Sequence, residues 1–470
     1  MTRRHALALP LAAASPSRAQ SALDIGSRRE LFVDGFLIDR LSGGATQRLG
    51  APVDAGPVLA LDRAWEGRFS AYATVIRESP RRFHLYYRGV PTAGQDGRID
   101  EVTCYAASQD GIHFTRPALD PDGRNVILAG SPPLQHNFCP FLDARPGVSE
   151  AQRFKALAGT HKSGLVAFES ADGVRWRKMR ESPVMTEGAF DSQNLAFWSA
   201  GEGRYVSYFR TFKKIGNIGY RWISRSTSDD FLTWSAPVEM SFGEAPPEHL
   251  YTNQTSPYYR APHIYVALCA RFQPGRQVLT AEEARAVNVD PDYYKDCSDA
   301  VLLSTRGGAS YDRTFLEAFL RPGLGLENWV SRSNYPALNV VETGASEMSF
   351  YVLRNYGQPS IYLRRYTLRP DGFASIHAPY RGGELLTRPL RFAGAQLRLN
   401  FSTSAPGGIR VQIQSEAGAP LADSVEMIGD YLDRPVAWQH SPDLSRLAGQ
   451  TVRLRFALHD ADLYALRFAA

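Results

Sequence analysis

The sequence predicts an all-β protein, a five-bladed β-propeller followed by a C-terminal β-sandwich, and three observations support that fold class. First, a turn motif recurs along the chain. Ser108-Gln-Asp-Gly-Ile-His-Phe114 returns as Ser170-Ala-Asp-Gly-Val-Arg-Trp176 and as Ser228-Asp-Asp-Phe-Leu-Thr-Trp234, with Phe231 in the glycine slot. Thr305-Arg-Gly-Gly-Ala-Ser-Tyr311 is a degenerate fourth copy and Arg369-Pro-Asp-Gly-Phe373 a fifth, so successive copies start 62, 58, 77 and 64 residues apart. An Asp-Gly pair between strand-like runs marks a tight turn, because glycine accepts positive φ without a Cβ clash. Second, each copy follows paired apolar runs such as Thr74-Val-Ile and Phe83-His-Leu-Tyr-Tyr87, or Leu195-Ala-Phe-Trp198 and Tyr205-Val-Ser-Tyr-Phe209. A third run leads into the turn and a fourth leaves it, giving four strands per repeat and five repeats, the pattern of a propeller. Third, after His377 the rhythm becomes strict alternation, as in Leu397/Leu399/Phe401, Ile409/Val411/Ile413 and Val452/Leu454/Phe456/Leu458. A period of two describes half-buried strands of a sandwich.

The elements then fall in order. Met1-Thr-Arg-Arg-His5 precedes an apolar run from Ala6 to Ala14, and Ser17 and Ala19 offer a small-x-small cleavage site. That combination describes a secretory signal over residues 1–19, and the Arg3-Arg4 pair resembles a bacterial twin-arginine signal, so a periplasmic or secreted location is expected. Residues 29–377 are assigned to the propeller, with 29–60 expected to wrap its outside, and 378–470 to the sandwich.

Composition narrows the function classes. Of 470 residues 44% are hydrophobic and 21% charged, which is globular, and 39 Gly with 30 Pro suit a turn-rich β fold. A net charge of +5 over this length gives no reason to expect nucleic acid as partner. There is no run of 18 apolar residues to span a membrane. Cys104, Cys139, Cys269 and Cys297 show no paired spacing, and the first three sit in apolar strand-like runs that suit core packing. No HExxH, Cys/His cluster, phosphate loop or G-x-S-x-G elbow occurs, so neither metal nor cofactor is expected.

On these repeats and strand runs the chain resembles the five-bladed propeller glycosidases: invertases, levansucrases and arabinanases, and a loosely family-32-like bacterial branch. The resemblance implies glycoside hydrolysis of an oligo- or polysaccharide, with acids at the starts of the innermost strands of the first three blades. At those places this chain has Trp65-Glu66-Gly67, His136-Asn137 and Phe190-Asp191-Ser192-Gln193 instead of the families' W-x-N-D-P-N-G, Arg-Asp-Pro and Glu-Cys.

Propeller geometry sorts the candidates, because innermost strands begin, and second strands end, at the pocket face. Glycoside cleavage needs one group to protonate the leaving oxygen and another to activate water or attack the sugar. The acids heading blades one, three and four are Glu66, Asp191 and Glu248, and Asp191 leads because it sits in the polar-aromatic cluster Phe190-Asp-Ser-Gln-Asn194, directly ahead of the apolar Leu195-Ala-Phe-Trp198 strand. Glu101 and Asp299, heading third strands, are secondary candidates. Trp65 is expected to stack on a sugar, and His136 and Asn137 to bind its hydroxyls. Second strands end in Arg88, Arg210, Arg271 and Arg354, and Arg332, Arg260 and His263 lie near other pocket-facing segments in sequence. A ring of guanidinium groups points to an acidic group on the glycan. Two other readings stay open: a carbohydrate-binding protein without catalysis, and a lyase of uronic-acid polymers using Tyr, His and Arg.

Overall fold

A computed structural model describes residues 21–94 and 96–470, so the signal expected at 1–19 lies outside the described residues. Five antiparallel sheets form the propeller. Blade one is Ala71–Ser79, Arg82–Gly89, Val102–Ser108 and Val126–Leu128. Blade two is Cys139–Leu142, Phe154–Ala158, Val166–Ser170 and Arg177–Lys178, and blade three is Leu195–Ser199, Arg204–Ile215, Ile218–Ser228 and Val238–Glu239. In blade four the innermost strand is split into His249–Thr252 and Thr255–Tyr258, followed by Ala261–Gln273 and Cys297–Thr305. Blade five joins Tyr335–Pro336, Val341–Gly344, Glu347–Arg354 and Tyr362–Leu368 to an outer strand from far upstream, Val53–Ala60. That strand closes the ring, so the propeller has no free junction between its first and last blades.

The N-terminal segment is therefore divided, where the sequence suggested a single wrapping stretch over 29–60. Residues 23–49 contribute four short strands to the 11-stranded sheet of the C-terminal sandwich, pairing with Leu390–Phe392, Val452–Ala469, Ala374–Ala378 and Gly383–Thr387. These strands are short and partly polar, and their partners lie more than 300 residues away, so local periodicity held no trace of the pairing. The sandwich core is apolar and includes Leu399, Phe401, Val411, Leu454 and Phe456. All four cysteines are buried and free.

The recurrent turns share one hydrogen-bond pattern. Ser108 Oγ donates to Asp110 Oδ1 at 2.8 Å and accepts from the Gly111 N–H at 2.9 Å. Ser170 with Asp172 and Gly173, and Ser228 with Asp230 and Phe231, repeat both bonds within 3.1 Å. Phe231 adopts φ 71°, matching Gly111 at 74° and Gly173 at 75°. Its buried ring packs 5.5 Å from both Phe141 and Trp234, which offsets the left-handed backbone. The degenerate fourth copy differs, because the Thr305 hydroxyl donates to the Gly307 and Ser310 carbonyls. Strand register pairs Phe83 with Ser108, Phe154 with Ser170 and Tyr205 with Ser228. The turns thus sit beside the beginnings of second strands, at the end of each blade away from Arg88 and Arg210.

The fifth copy joins the two domains. Asp371 is buried and accepts from Arg29 at 3.0 Å, the Tyr258 hydroxyl at 2.9 Å and Asn400 Nδ2 at 2.8 Å. Arg260 lies 3.4 Å from the same carboxylate and His263 lies 3.1 Å from Glu30. Both basic residues therefore belong to this joint and are far from the pocket face.

Candidate active site

The starts of the innermost strands and the ends of the second strands enclose two adjoining chambers. The inner one, of about 120 Å³, is walled by Tyr72, Arg88, Tyr251, Arg332, Tyr335 and Tyr356. The outer one, of about 680 Å³, is walled by Asp191, His161, Lys162 and Phe212. Gly94 and Asp96 line both.

Asp191 is held from three sides. Asn137 Nδ2 donates to the carbonyls on either side of it, Phe190 at 2.7 Å and Ser192 at 3.0 Å. Asn137 Oδ1 in turn accepts from the Gly159 N–H at 3.0 Å, tying this loop to blade two. The Tyr72 hydroxyl donates to the Asp191 carbonyl at 3.1 Å, and Arg210 Nη1 lies 3.0 Å from Asp191 Oδ1. The carboxylate itself stays 32% exposed, whereas Arg210 is 2% exposed.

Tyrosines and arginines make up the rest of the wall. The Tyr251 ring has the guanidinium carbons of Arg210, Arg221 and Arg332 at 4.1, 5.0 and 5.5 Å from its centroid. Burial pushes the Tyr251 phenol up, but Arg332, Arg210 and Arg221 together outweigh burial and draw it below the ordinary phenol value. Tyr72 behaves oppositely: burial, then the neighbouring Tyr251, holds its phenol well above the usual range, although Arg88 stands 4.5 Å over its ring. Behind Arg88, the buried His136 accepts or donates at 2.8 Å with Glu101 and lies 3.3 Å from the Arg88 guanidinium. Burial favours the neutral form of Glu101, yet its bond to His136 brings the net position below the usual carboxyl value.

Backbone strain collects here as well. Tyr72, Phe190, Gln254 and Arg332 have φ of 55°, 50°, 51° and 60°. Left-handed non-glycine residues cost on the order of 1–3 kcal/mol each and persist where surrounding structure fixes them. Gln254 shows how. Its Nε2 donates to Gln193 Oε1 at 2.6 Å and to the Pro336 carbonyl at 2.7 Å, linking blades three, four and five.

Several sequence candidates are placed elsewhere. Glu66 is fully buried and accepts from the Tyr87 hydroxyl at 2.5 Å and from Arg116 at 2.7 and 2.9 Å. Both its oxygens are consumed, and it lines neither chamber. Trp65 donates from Nε1 to Asn125 at 2.9 Å and packs against the blade-one core rather than offering a face to a sugar. Glu248 is 2.9 Å from Arg271 and 2.7 Å from Arg313. Arg271 is further bound by Asp299 at 2.6 Å, so neither acid nor base is free for a ligand. Arg354 donates to the Pro322 carbonyl at 3.0 Å and also to Asn334 and the Tyr366 hydroxyl, bracing the loop that carries Arg332. His136 and Asn137 stand behind the wall and position Arg88 and the Asp191 loop. Asp191, Arg88 and Arg332 line the chambers, with Arg210 directly behind Asp191.

Sequence reasoning missed the tyrosines. Tyr72, Tyr251 and Tyr335 occupy equivalent places at the starts of innermost strands of blades one, four and five. That recurrence was available from the repeat alignment, but an aromatic at a strand start reads first as core. Among the described residues no group of three or more His, Cys, Asp or Glu side chains is placed to share a metal ion.

No protein-family model matches the chain, and no curated protein does. Solved structures do. One titled glycoside hydrolase has 11% identity and TM-score 0.46, covering 68% of this chain and 92% of its own. An N-acetylgalactosamine deacetylase from F. plautii has 13% identity and TM-score 0.44, covering 68% and 94%. The Bombyx mori GH32 β-fructofuranosidase has 11% identity and TM-score 0.44, covering 88% and 94%.

Proposed function

We propose that the protein is a glycoside hydrolase that binds a saccharide bearing an acidic group in the central pocket, with Asp191 as a reacting carboxylate. The observation that supports this reading is charge. Arg88 and Arg332 both line the inner chamber, and among the described residues neither has a carboxylate oxygen within the 4.0 Å of an ion pair. Arg332 faces the rings of Tyr251, Tyr293 and Tyr356 instead. Asp96 and Glu101 line the same chamber but make no direct ion pair with either guanidinium, so an incoming carboxylate or sulfate can take up their free donors through charge-assisted hydrogen bonds. The surrounding phenol rings give a sugar its apolar contact. Residues 1–19 are proposed to export the enzyme, in which case changing Arg3 and Arg4 together to Lys should leave it in the cytoplasm of a host with twin-arginine export.

The same wall favours one other reading, β-elimination from a uronate, because guanidinium groups on the carboxylate acidify its α-hydrogen and Tyr251 is a ready proton carrier. Product analysis separates them: elimination leaves an unsaturated sugar, hydrolysis a saturated one. The test is turnover of uronate-bearing or sulfated oligosaccharides against neutral analogues of identical linkage, at low and high salt. Faster turnover of the acidic member with saturated products supports the proposal. Equal rates on both members overturn the acidic substrate, unsaturated products overturn hydrolysis, and binding without any cleavage overturns catalysis.

A further inference from the structure

The pocket presents a chemical imbalance. Hydrolysis of a glycoside needs a base or nucleophile and a separate proton donor. Asp191 supplies the first, already ion-paired at 3.0 Å to Arg210. The two other acids nominated from sequence are sequestered, Glu66 by Arg116 and Glu248 by Arg271 and Arg313. Glu101 lines the chamber but is committed to His136 at 2.8 Å. Asp96 lines both chambers, but it is 61% exposed and lies 3.7 Å from His136. The remaining groups of the inner chamber that carry an ionisable hydrogen are phenols.

We propose that Tyr251 is the catalytic proton donor, delivering its phenolic hydrogen to the leaving glycosidic oxygen while Asp191 removes a proton from the attacking water. The inference rests on the hydrolase reading above. Water oxygen bonds to the anomeric carbon as the bond from that carbon to the glycosidic oxygen breaks. The electron pair of the broken bond stays on the leaving oxygen, which takes the Tyr251 hydrogen. Asp191 takes the water hydrogen. Turnover leaves Asp191 protonated and Tyr251 a phenolate, and exchange of one proton with solvent restores both.

Among Tyr72, Tyr251 and Tyr335, the three tyrosines at starts of innermost strands, geometry selects Tyr251. Tyr72 donates its hydrogen to the Asp191 carbonyl at 3.1 Å. The Tyr335 ring lines the inner chamber, but its hydroxyl oxygen is buried out of solvent contact. The Tyr251 hydroxyl makes no hydrogen bond to any described residue, and guanidinium groups face its ring from blade three and from the segment before blade five. A phenolate so placed is stabilised by cations over its face, which makes the phenol a stronger acid. The direction of its titration agrees, since three arginines outweigh burial. The charged and titratable groups facing it are Arg210 and Arg221 of blade three, Arg332, Asp191, and Tyr72, Tyr335 and Tyr356, with His249 two residues before it. Of these Asp191 acts against the shift and the arginines produce it.

The experiment varies the leaving group. Tyr251→Phe retains the ring, its cation contacts and its packing, and removes only an oxygen that bonds no other residue. Wild type, Tyr251→Phe and Asp191→Asn are assayed on a 4-nitrophenyl glycuronide and on the matching alkyl glycuronide, with circular dichroism as a check on folding. Tyr251→Phe should cut turnover of the alkyl glycoside about 100- to 10,000-fold, the usual worth of general acid catalysis. It should change the nitrophenyl substrate less than about tenfold, because nitrophenolate leaves without a proton. Asp191→Asn should abolish both. Equal losses on the two substrates, or near-wild-type turnover of the alkyl glycoside, would overturn Tyr251 as the donor while leaving hydrolysis intact. A folded wild type that cleaves neither these nor any acidic oligosaccharide overturns the hydrolase reading and this inference together.

Discussion

The guanidinium carbon of Arg210 lies 4.1 Å from the centroid of the Tyr251 ring while the same group stands 3.0 Å from Asp191. One buried cation thus touches both proposed reacting residues. It favours negative charge on each, so the protonation of one affects the other, and the pH dependence of catalysis belongs to the trio more than to any single group.

That coupling gives a pH prediction through Arg221, which faces Tyr251 at 5.0 Å and does not line either chamber. A proton donor works only in its protonated form, so activity falls as pH rises through the Tyr251 value, which lies below that of an ordinary phenol. Arg221→Met removes one of the three cations. The phenol rises, and the basic limb of the kcat/KM profile should move to higher pH, with a modest loss of rate from the weaker acid. An unmoved limb would mean that some other group sets it.

Asn137 supports the Asp191 loop by two hydrogen bonds of 2.7 and 3.0 Å to the carbonyls flanking that residue. Asn137→Ala leaves two buried carbonyls and the Gly159 N–H without their partner. Unsatisfied buried groups cost about 1–3 kcal/mol each, so denaturant unfolding should show a loss of that order. Turnover should drop further than substrate binding does, because Asp191 loses its placement while the arginines keep theirs. Parallel losses in kcat and KM would place the effect in the pocket as a whole.

Glu66 gives the opposite pattern. It is fully buried against Arg116 and Tyr87 and does not face the chambers. Glu66→Gln strips the charge opposite Arg116 and should lower stability on the order of 3 kcal/mol, as removal of one member of a buried pair does. The activity of the folded fraction should stay close to wild type. A stable Glu66→Gln protein with turnover reduced by orders of magnitude would return Glu66 to the reacting groups.

The contrast between Asp191 and Glu66 also shows what the sequence could carry. Blade number, strand order and the serine-aspartate turns were legible because each depends on neighbours within seven residues, as Ser108 and Asp110 do. The position of Asp191 on the pocket face was legible from its place ahead of a buried strand. Glu66 looked equivalent, but its fate is decided by Arg116, 50 residues on and brought in by the closure of blade one. The second strands of blades three and four run past Arg210 and Arg271, to Ile215 and Gln273, whereas Arg354 ends its strand as expected. Arg271 is held by Glu248 and Asp299, and Arg354 by Pro322, Asn334 and Tyr366, which lie up to 32 residues away in sequence. Tyr251 was passed over because nothing local distinguishes it from a core aromatic. Its chemistry comes from Arg210, Arg221 and Arg332, spread over more than 120 positions. The pairing of residues 23–49 with the sandwich was hidden for the same reason.

Arg332 and Arg271 together test the acidic substrate at the level of single residues. Arg332 lines the inner chamber among Tyr251, Tyr293 and Tyr356, has no carboxylate within ion-pair distance among the described residues, and takes a left-handed φ of 60°. Arg271 lies near the end of the second strand of blade four, with Asp299 at 2.6 Å and Glu248 at 2.9 Å. Both are single positive charges, so replacing either by Met changes the net charge of the protein equally. Their local consequences differ. A charge-assisted hydrogen bond to a bound anion is worth about 1.5–3 kcal/mol, so Arg332→Met should weaken binding of a uronate-bearing oligosaccharide roughly 10- to 150-fold. Binding of the neutral analogue should hardly change, which collapses the preference between the two. Arg271→Met should leave that preference intact and instead reduce stability, because Glu248 and Asp299 lose their shared partner. Isothermal titration of both variants with the acidic and neutral members of one linkage reads the difference directly. If the two variants lose acid preference equally, long-range charge explains it and the local guanidinium contact does not. If Arg332→Met keeps the preference unaltered, the anion is bound elsewhere than the inner chamber.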